Sequence, residues 1–371
     1  MTRDRAWMTF LLTAGAALIL GGTGCLLGAE RAPGAFFPAW LAASVFWLGL
    51  PLGALALVLV HDLTGGRWMA TARPVLEAAI VTMPVAAVAF LPLFAGFHQV
   101  FAWASPAAPL DNAFYLDFGF FVRRYAVDVL LWNGLAAYAL WWPRDDAVGV
   151  ASSVSWASGI GLLLLAFSVS FAAIDWIMSL EPHFWSAVFV MIAGARWFNT
   201  SLALVLFIIA LTAPRSTERA PHRADLAAIL LATLIFWAYV SFCQYLIVWE
   251  ENLAREIPWY LRRIESGWGV AAAALAVTGF VAPFLLLLSR PAKSSRLAVA
   301  TAAALVFASG LVDAWWMVLP EFPGRNLAWL DAAAVLALGA VMLVVFVWSL
   351  CFGRALLARR APTWETSHGR V

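Results

Sequence analysis

Residues 36–60 read FFPAWLAASVFWLGLPLGALALVLV, without a single charge. Wound as an α-helix at about 1.5 Å per residue, an apolar run of about 20 residues crosses the ~30 Å hydrocarbon core of a bilayer. Lipid offers no partner to a backbone N–H or C=O, so such a segment crosses as a helix, which keeps those bonds internal. The rest of the 371-residue chain repeats the pattern: 64% of its residues are hydrophobic and 12% are charged. A soluble domain carries about twice that charged fraction. Mean hydropathy is +0.87. The expectation is an all-α polytopic membrane protein, with residues 1–371 forming a single integral membrane domain.

Ten spans are predicted at 6–28, 36–60, 74–97, 118–142, 150–176, 185–212, 226–250, 267–289, 296–319 and 327–353, followed by a C-terminal tail at 354–371. Pro33-Gly34, Gly65-Gly66, Pro143, Pro182, Pro214, Pro258, Pro291 and Pro323-Gly324 punctuate the connections. With an even number of spans, both termini and the even-to-odd loops share one side. Of the 23 Lys and Arg residues, 15 fall on that side and seven on the other, with Arg196 inside a span. The positive-inside rule therefore predicts cytoplasmic termini, with 98–117 and 251–266 outside. Arg3 and Arg5 precede the first span as in a signal peptide, but an apolar run of about 23 residues favours a retained helix over a cleaved h-region.

The three cysteines, Cys25, Cys243 and Cys351, are isolated in apolar spans, and the five histidines lie in connections or tails. No Cys/His cluster follows metal-ligand spacing, so no metal ligands, iron–sulfur cluster or c-type haem are expected in this chain. Phosphate-loop, nucleophile-elbow and dinucleotide fingerprints are missing from the sequence. A net charge of +2, with its basic residues spread over short loops, gives no sign of nucleic-acid binding.

Charge inside hydrocarbon costs about 2.5–3.5 kcal/mol on insertion scales, so each ionisable residue in a span is a functional candidate. These are Glu77, Asp128, Asp175, Arg196 and Asp313. Asp128 follows Arg124 by four residues on one helical face, which allows either a neutralising ion pair or a proton-exchanging carboxylate. Arg196 has no partner in its own helix and must face either an acid of another helix, for which Asp128 or Asp175 would serve, or a water-filled cavity. Glu77 sits one turn inside the cytoplasmic end, where it can snorkel. Asp313, beside Trp315 and Trp316, reads as an interfacial, hydrated acid within an aromatic belt.

Two segments are dense in polar and aromatic groups. Phe171–Trp185 contains Asp175, Trp176, Glu181 and His183 at the outer interface, the mixture a quinone head group requires; a helix end turned by Pro182 would also account for it. The run from Phe236 continues through Glu250, Glu251, Arg262 and Arg263 to Trp268, and reads as aromatic packing leading into an ordered external loop. With Arg123 and Arg124, these four charged residues are candidate contacts for a partner subunit.

These two segments resemble the membrane subunits of bacterial alternative complex III, of the smaller, quinone-binding-subunit-2 type. Trp103, Pro106, Tyr115-Leu116, Phe120-Phe121, Pro283–Arg290, and Asp313 with Trp316 and Pro320 extend the likeness over residues 90–325. The resemblance implies ten helices with two four-helix bundles, as in polysulfide- and nitrite-reductase anchors. It also implies a quinol-oxidising complex with a larger homologous membrane subunit, multihaem cytochrome c and iron–sulfur partners, and a terminal oxidase as a further partner. On that view Asp175, Glu181 and His183 form a quinone or proton-exit site, while Asp128, Arg196, Glu77 and Asp313 line a proton path. Asn112, where the family often has Lys, and Arg196 depart from the pattern. A purely structural scaffold and a secondary transporter, with helices broken at Pro84 and Pro283, are the alternatives.

Overall fold

A computed structural model of the chain describes residues 3–66, 68–105, 110, 112–142, 148–212 and 220–353. The tail at 354–371, Pro106, Pro143, Pro214 and the basic residues Arg67, Arg144, Arg215 and Arg219 lie outside the described residues. Among the described residues, regular structure is entirely helical. Nine stretches are long and apolar enough to cross a membrane: Leu12–Arg31, Pro33–Thr64, Thr71–Phe94, Ser155–Leu180, Phe189–Thr212, His222–Glu250, Trp268–Leu288, Arg296–Glu321 and Trp329–Phe352. The remaining expected span forms a helix over Phe118–Trp141, long enough at about 36 Å. Arg123, Arg124, Asp128 and Asn133 make it more polar than the other nine.

The helices are α1 (Arg3–Arg31), α2 (Pro33–Thr64), α3 (Met69–Ile80), α4 (Met83–Val88), α5 (Phe97–Val100), α6 (Phe118–Trp141), α7 (Val148–Trp176) and α8 (Phe189–Thr212). They continue with α9 (Ala220–Glu250), α10 (Ile257–Glu265), α11 (Trp268–Ala276), α12 (Ala282–Leu288), α13 (Arg290–Ser294), α14 (Arg296–Val318) and α15 (Trp329–Trp348). One group of four spans is α2, α3–α4, α6 and α7; the second is α8, α9, α11–α12 and α14. α2 joins the groups by packing on both α8 and α14, while α1 lies along α15 at the edge.

α2 is buried nearly all round, which explains why its sequence is apolar on every face. Close helix approach in lipid depends on small residues. A Cβ on Gly49 would lie 2.4 Å from Trp197 Cδ1, and one on Gly53 would lie 2.6 Å from Ser201 Cβ, so glycine lets α8 sit directly on α2.

Two spans are interrupted where proline withholds an N–H. The third breaks after Ile80, restarts before Pro84, and tightens to a 3₁₀ turn at Leu91–Phe94 around Pro92. The eighth widens to a π-helical turn at Val277–Val281, just before Pro283.

Candidate functional site

The structure draws four of the five in-span charged candidates, all but Asp128, into partnerships within the chain. On α6, Arg124 turns to Asp175 near the end of α7: Nε donates to Oδ2 at 2.7 Å and Nη2 to Oδ1 at 2.8 Å. Both residues are buried, and the guanidinium lies 3.9 Å from the centre of the Tyr115 ring and 4.3 Å from that of Phe120. Burial, reinforced by the Asp175 carboxylate, pushes the Tyr115 hydroxyl pKa up. The ion pair allowed within α6 is not formed. A bidentate fork onto one carboxylate uses Nε and Nη2 together, and Asp128 is left buried without a hydrogen bond or ion pair among the described residues.

Around this clamp the first helix group is packed with rings. Phe90 stacks on Trp176 at 4.3 Å, and Trp132 meets Trp176 edge-on at 5.8 Å. Two of the polar ends are satisfied: Tyr125 Oη donates to Ala87 O at 2.7 Å, and Trp132 Nε1 to Ser168 Oγ at 2.9 Å.

Arg196 on α8 finds neither Asp128 nor Asp175. Its partner is Asp313 on α14, Nε to Oδ2 at 3.4 Å, supported by 3.3 Å hydrogen bonds from Nη1 and Nη2 to Ser309 Oγ and O. The guanidinium lies 4.1 Å from the Trp237 ring centre. Asp313 is therefore no hydrated interfacial acid: it is 5% exposed. A buried cation on the facing helix draws it inward, because either charge alone in that setting would be far costlier.

A third cluster ties together connections at the same end of the bundle as Asp175. Arg262 on α10 contacts Glu181 and also Glu321, the latter at 3.2 Å. Arg263 pairs with Glu321 at 2.8 Å and donates to Trp316 O, Trp259 O and Met317 O at 2.8–3.1 Å. Burial lowers the Arg263 pKa to about 10, with Glu321 opposing, so it stays charged at neutral pH.

The remaining candidates are more dispersed. His183 is exposed, its backbone N–H donating to Glu181 Oε1 at 3.3 Å. Glu77 pairs with Arg73 at 2.8 Å one turn away. Of the six expected partner contacts, Arg124 and Arg263 are turned inward and Arg262 is engaged with Glu181 and Glu321, leaving Arg123, Glu250 and Glu251 exposed.

Two cavities adjoin these groups. One, of about 500 Å³, lies at the break in the third span and is lined by Glu77, Asn133, Trp141 and Trp348. The other, of about 590 Å³, lies in the second helix group, walled by Trp237, Phe242, Tyr245, Trp259, Tyr260 and Trp316. Gln244, Arg263 and Asp313 also line it. Asp175, Glu181 and His183 line neither cavity.

The second cavity lies where the distinctive sequence segments meet. Phe184 stacks on Trp259 at 5.0 Å, Ser186 Oγ donates to Gln244 Oε1 at 2.9 Å, and Trp259 meets Trp316 at 5.2 Å. Glu321, Ser309 and Trp237 carry much of this arrangement and were not legible as site residues. A signal existed for Glu321: Asp175, Pro182 and Phe184 recur at the same spacing as Asp313, Pro320 and Phe322, and Arg123-Arg124 recurs as Arg262-Arg263.

No family model matches the chain, and no curated protein is detectably similar to it in sequence. Fold and hydropathy define its class: an all-α, multi-pass membrane protein.

Proposed function

We propose that this chain is the smaller membrane subunit of a quinol-oxidising respiratory complex of the alternative complex III type, set in a bacterial inner membrane with both termini cytoplasmic. It anchors multihaem cytochrome c and iron–sulfur partners beside a larger homologous membrane subunit, and contributes quinone-site or proton-path residues. The observation that carries this reading is the convergence of the two distinctive segments with the Asp313–Trp316 stretch. Phe184 and Ser186 just beyond Asp175–His183, Gln244 and Trp259 of the Phe236–Trp268 run, and Trp316 beside Asp313 pack together around one aromatic cavity. Carboxylates suit proton acceptance because burial and neighbouring charges move their pKa values. Asp128 and Asp313 are the buried acids best placed for that role, Asp128 having no ion-pair partner among the described residues.

The scaffold reading draws on a different observation. The bidentate Arg124–Asp175 clamp and the Arg262–Glu181–Glu321–Arg263 network brace connections between spans, work that needs no chemistry.

Asp128→Asn in the assembled complex separates the two. Asn preserves shape and breaks no ion pair, so assembly stays intact. Quinol turnover falling by tenfold or more supports the proton role; turnover at the wild-type rate assigns the chain to the scaffold.

A further inference from the structure

The aromatic cavity of the second helix group has features that a gap filled by lipid tails does not require. It holds about 590 Å³, within the 300–1,000 Å³ typical of small-molecule sites. On its rim, Phe242 of α9 and Ile264 of α10 are 60% and 51% exposed and Ala276 of α11 is exposed as well, so it opens sideways between α9 and α11, below α10, towards lipid. Three of its lining residues carry buried polar atoms without a hydrogen-bond partner among the described residues: Trp237 Nε1, Ser241 Oγ and Trp316 Nε1. Leaving such a group unmet costs about 1–3 kcal/mol. An acyl chain has no acceptor to offer them. Indole faces favour a flat ring, and indole N–H groups favour a carbonyl oxygen.

We propose that this cavity is a binding site for the ring of a membrane-soluble quinone, entering from lipid between α9 and α11. The ring stacks among the tryptophans, with its carbonyl oxygens taking hydrogen bonds from the Trp237 and Trp316 indoles and the Ser241 hydroxyl. Asp313, held by Arg196, is the one carboxylate among the lining residues. The site lies in the second helix group, away from Asp175 and His183, and it rests on the respiratory reading for the choice of a quinone over other flat, lipid-soluble carbonyl compounds.

The test is photolabelling of the full chain, in whatever complex it purifies with, by an azido-substituted benzoquinone, followed by peptide mass spectrometry. Labelling is expected on peptides containing Phe242, Tyr245, Ile264 or Ala272, and excess decylubiquinone should suppress it. Ala272→Phe, which fills the cavity, should cut labelling at least about tenfold. Trp237→Phe, which keeps the ring and removes one donor, should weaken the competition by about two- to tenfold, the loss of one hydrogen bond. Labelling that both variants leave unchanged, that resists decylubiquinone, or that maps to the 175–183 segment overturns the site. Cavity labelling in a preparation without haem would uphold the site and count against the respiratory assignment. Haem partners with no cavity labelling would do the reverse.

Discussion

Arg124 and Arg263 each end an Arg-Arg pair, and each lies some fifty residues before an Asp that is followed, seven positions on, by Pro. From these similar parts the two helix groups build different interiors. In the first, Arg124 grips Asp175 directly, and Phe90, Trp132 and Trp176 fill the surrounding space. In the second, Arg263 reaches past Asp313 to Glu321, while Asp313 is held by Arg196 from a different helix. The aromatic residues there stand as walls around a cavity instead of filling it. Around the direct clamp the packing is solid, and the first group's cavity lies apart from it at the break in the third span. In the second group, by contrast, the acids are shared among additional arginines and the space beside Asp313 stays open for a ligand.

Four tests would break or sharpen that contrast. The largest effect is expected at the clamp. Asp175→Ala leaves Arg124 buried without a partner, which costs about 3–5 kcal/mol. Thermal unfolding in detergent should show a collapse of folded protein that Arg124→Met in the same chain largely repairs; an unaltered melting curve for Asp175→Ala would mean the clamp is not structural.

Arg196→Met should come next. Asp313 loses its cation but can be neutralised by taking up a proton, which a buried guanidinium left alone cannot be, so the loss measured by the same unfolding should be smaller than for Asp175→Ala. An equal or greater loss would mean that Asp313 stays charged without Arg196.

Matched enlargements compare the packing itself. Ala172→Leu, at a fully buried position in the first group, should destabilise by about 1–3 kcal/mol through overpacking. Ala272→Leu, facing the cavity, should be near neutral. Equal costs would erase the distinction between the filled surroundings of the clamp and the open space beside Asp313.

The smallest effect belongs to Arg262→Ala. The Arg262 side chain is 38% exposed, and pairs of that kind contribute about 0.2–1 kcal/mol, screened by salt. Its melting shift should shrink as ionic strength rises.

How much of this was legible follows from the range of each interaction. Membrane spans depend on composition within one segment, so nine of the expected spans stand out by hydropathy and the polar one at 118–142 forms a helix of matching length. The proline breaks were foreshadowed by Pro84 and Pro283. Ion-pair partners were not legible, because Arg124 and Asp175 are 51 residues apart and helical periodicity says nothing beyond one helix. It favoured the nearer Asp128. Asp313 looked interfacial from its tryptophan neighbours, and only the facing Arg196 shows why it is buried. The cavity draws on α8, α9, α10, α11 and α14, which no single segment encodes.

The most direct test of the account is purification of the chain from its native membrane in mild detergent, with haem spectra and mass spectrometry of whatever co-migrates. The account predicts a multihaem c-type cytochrome, an iron–sulfur protein and a larger, related membrane subunit travelling with it. A colourless chain that migrates alone would contradict the respiratory assignment and return the broken third and eighth spans to consideration as parts of a transporter.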